Sequence, residues 1–324
     1  MSKIIDHDFP FEPDYGFDLK RLQAVPSGME PSGFRDFWQQ KYHRALQATT
    51  HLSLQDSGVT TQVWRVFNCY YDSTEGVRIG GWLLLPLCGG VEAAVIYGHG
   101  YGGLHAPDTT WALDNTAIFM PCIRGIGRSR FPGISEDPYW HVLHHIQDPQ
   151  QYIIGGCVQD IWCAITALLT LFPGIEDAIG YAGDSFGGGL GVFATAFDPR
   201  ITRAHFHVPT FGNAQLRLTL PTVGSTQALI EFDDQALLAK NLPYFDASVA
   251  AHYITQPTHW GLAQFDPYVA PPGQFSIFNA CLSAKQLTLL EAGHCDYPGK
   301  ALEQRAMKKN VQRFFDQLRV KDAS

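Results

Sequence analysis

From residue 91 onward the chain repeats one pattern: a short unbroken apolar run, then a segment whose apolar positions have helical spacing. The apolar runs occupy residues 93–97, 117–123, 178–182, 203–208, 258–265 and 286–290. Such runs, without polar alternation, are typical of strands covered on both faces of a parallel sheet. Helical spacing is strongest at residues 153–171, 188–197 and about 302–318. The pattern therefore predicts an α/β fold with a mostly parallel, doubly wound sheet.

The region before residue 91 follows other patterns. Residues 32–48 predict a helix capped by Ser32, with five large side chains on one stripe: Phe34, Phe37, Trp38, Tyr42 and Leu46. Two β-rich segments follow at 62–72 and 78–86, separated by a turn at 73–76. We interpret residues 1–60 as an N-terminal extension that contains the helix.

Residues 211–256 break the alternation of strands and helices. Their pattern indicates short helices with prolines and glycines near the turns. We interpret them as a helical cap insertion over the carboxyl edge of the sheet. A chain of 324 residues could form two domains of roughly 150 residues each, but no linker or repeat divides it. The prediction is one domain over residues 1–324.

Charge and cysteine content argue against several classes of function. The chain has 23 Lys and Arg residues against 31 Asp and Glu residues, a net charge of −8 with neutral histidines. No basic run is present, which argues against a nucleic-acid partner. The seven cysteines are scattered without CxxC spacing, as expected of reduced thiols. The first 18 residues contain acids where a signal peptide needs an apolar segment, and no run of about 18 apolar residues occurs. We expect a cytoplasmic protein without a membrane partner.

A G-x-S-x-G sequence at residues 183–187 carries the clearest chemical signal. It follows the apolar run 178–182 and precedes a helix of small residues, the strand–turn–helix context that a nucleophile elbow requires. Small residues on both sides let the chain turn sharply, so that Ser185 stands clear of the sheet. The helix start directs unpaired N–H groups toward a reacting oxygen. Ser185 is therefore the candidate nucleophile.

A serine hydroxyl needs a base, and the base needs an acid to orient it. In this fold the order along the chain is Ser, Asp or Glu, then His, each in a loop after a strand. Asp266 ends the run 258–265, and His294 follows the last predicted strand. We predict these two residues as acid and base. Three further acids compete with Asp266 for its role: Asp184, Asp246 and Asp296.

Residues 98–103 form a glycine-rich loop directly after the first apolar run. The backbone N–H groups of Tyr101 and Phe186 would complete an oxyanion hole there. Gly98, Gly100 and Gly103 also match the dinucleotide fingerprint, but the acid expected about 20 residues later is replaced by Ile123 and Arg124. Arg124 leaves NADP open as an alternative, although that alternative does not explain the Ser–Asp–His order. We predict an esterase without a cofactor.

The remaining histidines and aromatic residues suggest weaker hypotheses. One possible metal face has helical spacing: His141, His144, His145 and Asp148. A polar surface explains it better, and we predict no metal. His205 and His207 share one face of a predicted strand and are interpreted as core histidines. Tyr101 and Trp260 could border a substrate pocket.

These motifs resemble the acetyl xylan esterase and cephalosporin C deacetylase family of α/β-hydrolases, the seventh carbohydrate-esterase family. The resemblance covers nearly the whole chain, from the opening FDLKRLQAVPSGMEPSGFRDFWQQ to YGHGYGG, GLAQFDPYVAPP and AGHCDYPG. It implies the α/β-hydrolase fold, the triad Ser185, Asp266 and His294, and an oxyanion hole from the amides of Tyr101 and Phe186. It also implies an intracellular enzyme that acts on small acetylated sugars and cephalosporins and assembles as a homo-oligomer, commonly a hexamer.

The chain departs from the family pattern at three positions beside the motifs. Ile126 and Phe186 stand where the family usually has glutamine, and Cys295 where it usually has glutamate. None of the three removes a reacting group, because the oxyanion donor at Phe186 is its backbone N–H. The acid loop also has one more residue before Pro271.

The sequence thus predicts a serine carboxylic-ester hydrolase that deacetylates small O-acetylated compounds such as acetylated xylo-oligosaccharides. One alternative is a non-catalytic relative that binds a ligand or a partner protein. Another keeps the triad but cleaves longer acyl esters or peptides.

Overall fold

The computed structural model describes residues 5–319, within which nine strands form a single sheet. The strands are β1 (Ser53–Thr60), β2 (Trp64–Asp72), β3 (Arg78–Pro86), β4 (Ala93–Gly98), β5 (Thr116–Pro121), β6 (Ile179–Asp184), β7 (Ile201–His207), β8 (Thr258–Ala263) and β9 (Lys285–Leu290). Their order across the sheet is β1-β2-β3-β5-β4-β6-β7-β8-β9. The pairs from β1 to β5 are antiparallel, and those from β5 to β9 are parallel. The predicted mostly parallel sheet is confirmed.

The described residues form eleven α-helices. They are α1 (Leu19–Leu22), α2 (Phe34–Gln47), α3 (Pro138–His141), α4 (Ile153–Leu171), α5 (Phe186–Phe197), α6 (Ala214–Arg217), α7 (Thr226–Ile230), α8 (Gln235–Asn241), α9 (Ala247–Ala250), α10 (Pro271–Ala280) and α11 (Lys300–Asp316). Helices cover both faces of the sheet, with α2, α4 and α5 contributing to one core cluster and α11 to the other. The strands between them are therefore buried on both sides, which explains their unbroken apolar runs.

Helix α2 differs from its predicted form at both ends. Gly33, with φ of 75°, precedes the helix in the capping position, and no side chain caps it, so Ser32 does not have the predicted role. Leu46 is 42% exposed, while Ala45 is buried. The buried positions 34, 38 and 45 recur about every 3.6 residues, and Leu46 falls outside that stripe because it lies one position further around the helix. Trp38 packs edge-on against Trp162 of α4.

Helix α4 is long and apolar enough to cross a membrane by length and composition. Most of the helix is enclosed by the sheet and α2, and Ile154 and Trp162 have no exposed surface. Burial in the protein core explains its composition without a bilayer.

The segment between β7 and β8 consists of short helices, α6 to α9, as the pattern of residues 211–256 predicts. Helix α9 packs against α5 and α10, and α7 packs against α3. The division into one domain with an N-terminal extension and a cap stays a prediction.

A buried ion pair joins α4 to the loops beside it. Arg124 and Asp160 are 2% and 0% exposed, and their charged groups are 2.8 Å apart. Asp160 also accepts hydrogen bonds from the Arg124 backbone N–H and from the Ser73 hydroxyl. Burial is unfavourable for each charge alone, so each group depends on the other.

We predict that Arg124→Met lowers the free energy of unfolding by about 3 to 5 kcal/mol, because it leaves the Asp160 carboxylate buried without its partner. Urea denaturation measures the change. Arg65→Met is the matched control, since Arg65 pairs with Asp56 at 2.6 Å but both side chains are about half exposed. Its expected cost is at most about 1 kcal/mol. Equal losses in the two variants would contradict this account.

Candidate active site

Ser185 lies in a sharp turn between β6 and α5. Its φ of 53° and ψ of −108° are unusual for a residue with a side chain, and its N–H donates to the His207 carbonyl at 2.8 Å. A Cβ atom at Gly183 would lie 2.5 Å from the Gly187 carbonyl oxygen, and one at Gly187 would lie 2.2 Å from the Gly98 carbonyl oxygen. Both glycines are required because backbone surrounds them. The strand–turn–helix context predicted from the sequence is present.

The structure brings the three predicted side chains together. His294 follows β9, and its Nε2 lies 2.9 Å from the Ser185 hydroxyl. Its Nδ1 lies 2.8 Å from an Asp266 carboxylate oxygen. If Nδ1 carries the proton and donates it to the carboxylate, Nε2 is left to accept from the serine.

Asp266 is held in place by its own neighbours. The side chain has no exposed surface and accepts from the backbone N–H groups of Tyr268 and Val269 and from the Gln274 amide. Its backbone N–H donates to the Pro13 carbonyl at 3.1 Å, so the N-terminal segment contacts the acid loop. Gln274 belongs to α10, a helix that the sequence pattern does not predict.

The pKa of His294 reflects two opposing effects. Burial disfavours the charged imidazole and lowers its pKa, while the charge and hydrogen bond of Asp266 raise it. The charge and the hydrogen bond of Asp266 together outweigh burial, so the pKa of His294 lies above its ordinary value.

The three competing acids lie in other environments. Asp184 hydrogen-bonds Tyr97 and lies 3.2 Å from His207. Asp246 accepts backbone hydrogen bonds at the start of α6 and α9. Asp296 is almost fully exposed and pairs with Lys300 at 2.7 Å. Of the four acids considered, Asp266 is the one hydrogen-bonded to His294.

The glycine-rich loop 98–103 lies beside Ser185. The Gly187 N–H donates to the His99 carbonyl at 3.0 Å, which joins the loop to the start of α5. His99, a residue of this loop that no sequence motif marks, is buried, and its Nε2 accepts from the Ile123 N–H at 2.9 Å. Among the described residues, the N–H groups of Tyr101 and Phe186 donate to no other group. Both are available to a ligand.

The contacts in this region do not favour its two alternative functions, a dinucleotide site with Arg124 and a metal site with His141. The Arg124 guanidinium donates hydrogen bonds to Asp160, Glu75 and Thr74, so its donors are already engaged and are not left for a phosphate. His141 turns inward, with its Nε2 3.1 Å from the Arg124 carbonyl oxygen and its Nδ1 3.3 Å from the Tyr101 hydroxyl. Within residues 5–319, no three His, Cys, Asp or Glu side chains form a metal-ligand group.

The two predicted pocket residues differ in accessibility. Tyr101 is partly exposed and stacks on Phe186, with ring centroids 3.9 Å apart. Trp260 has no exposed surface and packs against Phe206 and Phe278 in the core. The prediction for Trp260 is wrong, because it lies in the middle of β8 rather than at its carboxyl end.

A cavity of about 200 Å³ lies beside His294. Cys295, Trp111, His205 and His207 border it. His205 is 5% exposed and hydrogen-bonds His259, as a core histidine would. His207 is less enclosed and contacts Asp184. Ile126, which replaces a family glutamine, is buried, whereas Cys295 is partly exposed.

Comparison with known proteins identifies the family. The family model described as acetyl xylan esterase (AXE1) matches residues 16–312. The chain belongs to the acetyl xylan esterase family. Membership makes it a carboxylic ester hydrolase.

Solved structures similar to this family member share its fold. An acetyl xylan esterase from Paenibacillus sp. R4 superposes with a TM-score of 0.79 at 21% identity, covering 92% of this chain and 100% of that one. Acetyl xylan esterase 1 from Thermoanaerobacterium sp. JW/SL YS485 gives 0.77 at 19% identity, covering 94% and 99%. An acylaminoacyl peptidase from Pyrococcus horikoshii gives 0.60 at 15% identity, covering 81% of this chain and 43% of the peptidase. The α/β-hydrolase fold is confirmed.

We predict that Gly187→Ala destabilises this esterase by about 1 to 3 kcal/mol, because the added Cβ meets backbone that cannot turn aside. The shift of the turn should also impair hydrolysis of 4-nitrophenyl acetate. Gly90→Ala is the control, since a Cβ there has no atom within 4 Å. Its free energy of unfolding should change by less than about 1 kcal/mol. A fully active and stable Gly187→Ala variant would contradict the tight-turn account.

Proposed function

We propose that this family member is a serine esterase that removes acetyl groups from small O-acetylated compounds such as acetylated xylo-oligosaccharides. Ser185 is the nucleophile, His294 the general base and acid, and Asp266 the residue that orients the imidazole. The observation that supports this assignment is the hydrogen-bonded series from Ser185 to His294 to Asp266, at 2.9 and 2.8 Å. The names of the two acetyl xylan esterases of known structure suggest the acetyl group and the carbohydrate substrate.

In the first half of the reaction, the Ser185 oxygen attacks the ester carbonyl carbon while His294 Nε2 takes the hydroxyl proton. The carbonyl oxygen becomes negative and accepts hydrogen bonds from the N–H groups of Tyr101 and Phe186. His294 then gives its proton to the departing alcohol oxygen, and the C–O bond breaks. Asp266 stabilises the imidazolium throughout, and an acetyl-Ser185 ester remains.

In the second half, a water molecule takes the place of the alcohol. His294 removes a proton from the water as its oxygen attacks the acyl carbon, and the same two N–H groups hold the oxyanion. The bond to Ser185 breaks, the serine regains its proton from His294, and acetate leaves. Every proton therefore passes through one imidazole nitrogen.

Aromatic rings pack beside the oxyanion donors. The Tyr101 and Phe186 rings stack, and the Phe211 and His141 rings pack edge-on against Phe186. A cytoplasmic location and a homo-oligomeric assembly complete the proposal, and both rest on the family resemblance.

The nucleophile is tested by Ser185→Ala. We expect the variant to lose several orders of magnitude in the rate of 4-nitrophenyl acetate hydrolysis and to lose labelling by a fluorophosphonate probe. Ser53→Ala, an exposed serine on β1, is the control and should keep both properties. If the unaltered protein is neither active nor labelled, the non-catalytic alternative replaces the proposal. A series of acyl lengths separates an acetyl esterase from an enzyme for longer esters.

The general base is tested by the pH profile of kcat/KM. His294 must be neutral to accept a proton, so the rate should rise with pH through its pKa, which lies above the ordinary value. In Asp266→Asn the raising effect is lost while burial remains, so the midpoint should move to lower pH. The maximal rate should fall by about 10⁴. Asp296→Asn, an exposed acid near His294, should change neither, and an unmoved midpoint in Asp266→Asn would refute the assigned pair.

A further inference from the structure

Arg217, at the end of α6, is a buried cation that forms no hydrogen bond or ion pair with the described residues. It is 6% exposed, and its Nε atom is enclosed without any hydrogen-bond acceptor. Among residues 5–319, no side-chain hydrogen bond or ion pair within 4 Å is formed by its guanidinium, whereas the equally buried Arg124 has a carboxylate at 2.8 Å. Burial of an unpaired guanidinium is strongly unfavourable, and folding alone gives no reason to retain it.

The surroundings of Arg217 connect it to the nucleophile. Its guanidinium lies 5.4 Å from the centre of the Phe211 ring, which in turn packs 6.0 Å from Phe186, the residue after Ser185. The N–H of Thr210 donates to the Ser185 carbonyl at 3.1 Å, so the segment that leads into α6 adjoins the β6–α5 turn. Arg217 therefore flanks the reaction site on the side of the oxyanion donors.

The one carboxylate that interacts electrostatically with Arg217 has other partners. Asp246 accepts from the backbone N–H groups of Asn213, Ala214 and Ser248 and from the Ser248 hydroxyl, at 2.6 to 2.9 Å. It lies beyond ion-pair distance and holds the start of α6 and α9 instead. Burial accordingly lowers the pKa of Arg217, and the charge of Asp246 offsets this effect only in part.

We propose that Arg217 binds a carboxylate on the ester that Ser185 cleaves, so that the preferred substrate is negatively charged. This inference rests on the proposed function. A guanidinium donates two parallel hydrogen bonds to a carboxylate, and the two Nη groups of Arg217 can make this contact end-on while Nε stays enclosed. The bound anion neutralises the buried charge, and a neutral ester leaves it uncompensated. Arg217 thus sets specificity and takes no part in the bond-breaking steps.

The test uses two pairs of esters matched except for charge. In the first pair the carboxylate is on the acyl side, with 4-nitrophenyl glutarate monoester against 4-nitrophenyl butyrate. In the second it is on the alcohol side, with 4-acetoxybenzoate against its methyl ester. In Arg217→Met we expect kcat/KM for the charged member of one pair to fall about tenfold to hundredfold, mainly through KM. The neutral members should change by less than about threefold, and Arg217→Lys should keep part of the preference.

Stability separates this role from a structural one. Replacing an unpaired buried cation by methionine should leave the urea midpoint unchanged or raise it, while Arg124→Met lowers it. Equal loss of activity on charged and neutral esters, no effect on either pair, or a failure of Arg217→Met to fold would each overturn the inference. In those cases hydrolysis of the neutral esters by the unaltered protein still supports the esterase. A protein that hydrolyses none of the four esters refutes the proposed function itself.

Discussion

Close contact between the β6–α5 turn and the end of β4 is the constraint on which the site depends. Gly187 and Gly98 meet backbone to backbone, with no space for a side chain between them. The contact fixes the strained conformation of Ser185 and brings the loop 98–103 beside it. This one packing contact therefore positions the Ser185 hydroxyl together with the free N–H groups of Tyr101 and Phe186.

Parallel strands supply the rest of the arrangement. Because β6, β8 and β9 run in the same direction, the residues after their carboxyl ends lie at one edge of the sheet. Asp266 and His294 reach Ser185 from that edge although the chain separates them widely. Apolar rings at Tyr101, Phe186 and Phe211 then surround the oxyanion donors, where burial increases the strength of any charged contact.

The sequence predicted features that depend on local spacing. The glycine pattern around Ser185, the apolar runs and helix α4 needed only neighbouring residues, and the sheet followed from them. Strand β1 was missed because its polar residues lie exposed at the sheet edge, and α10 because it is buried almost all round and its sequence shows no apolar stripe. Trp260 was wrongly predicted to border the pocket, because the neighbouring sequence does not show how deeply a strand residue is buried. Arg217 forms no ion pair with the described residues because of which side chains fold against it. The spacing of residues along the sequence does not show this.

The contact between Pro13 and the backbone of Asp266 has a consequence for biosynthesis. Because translation runs from the N-terminus, Pro13 has no partner for this contact until the acid loop, about 250 residues later, has been made. His294 is translated later still. A nascent chain that stops short of His294 therefore lacks a complete reaction centre, and hydrolytic activity requires translation beyond that residue.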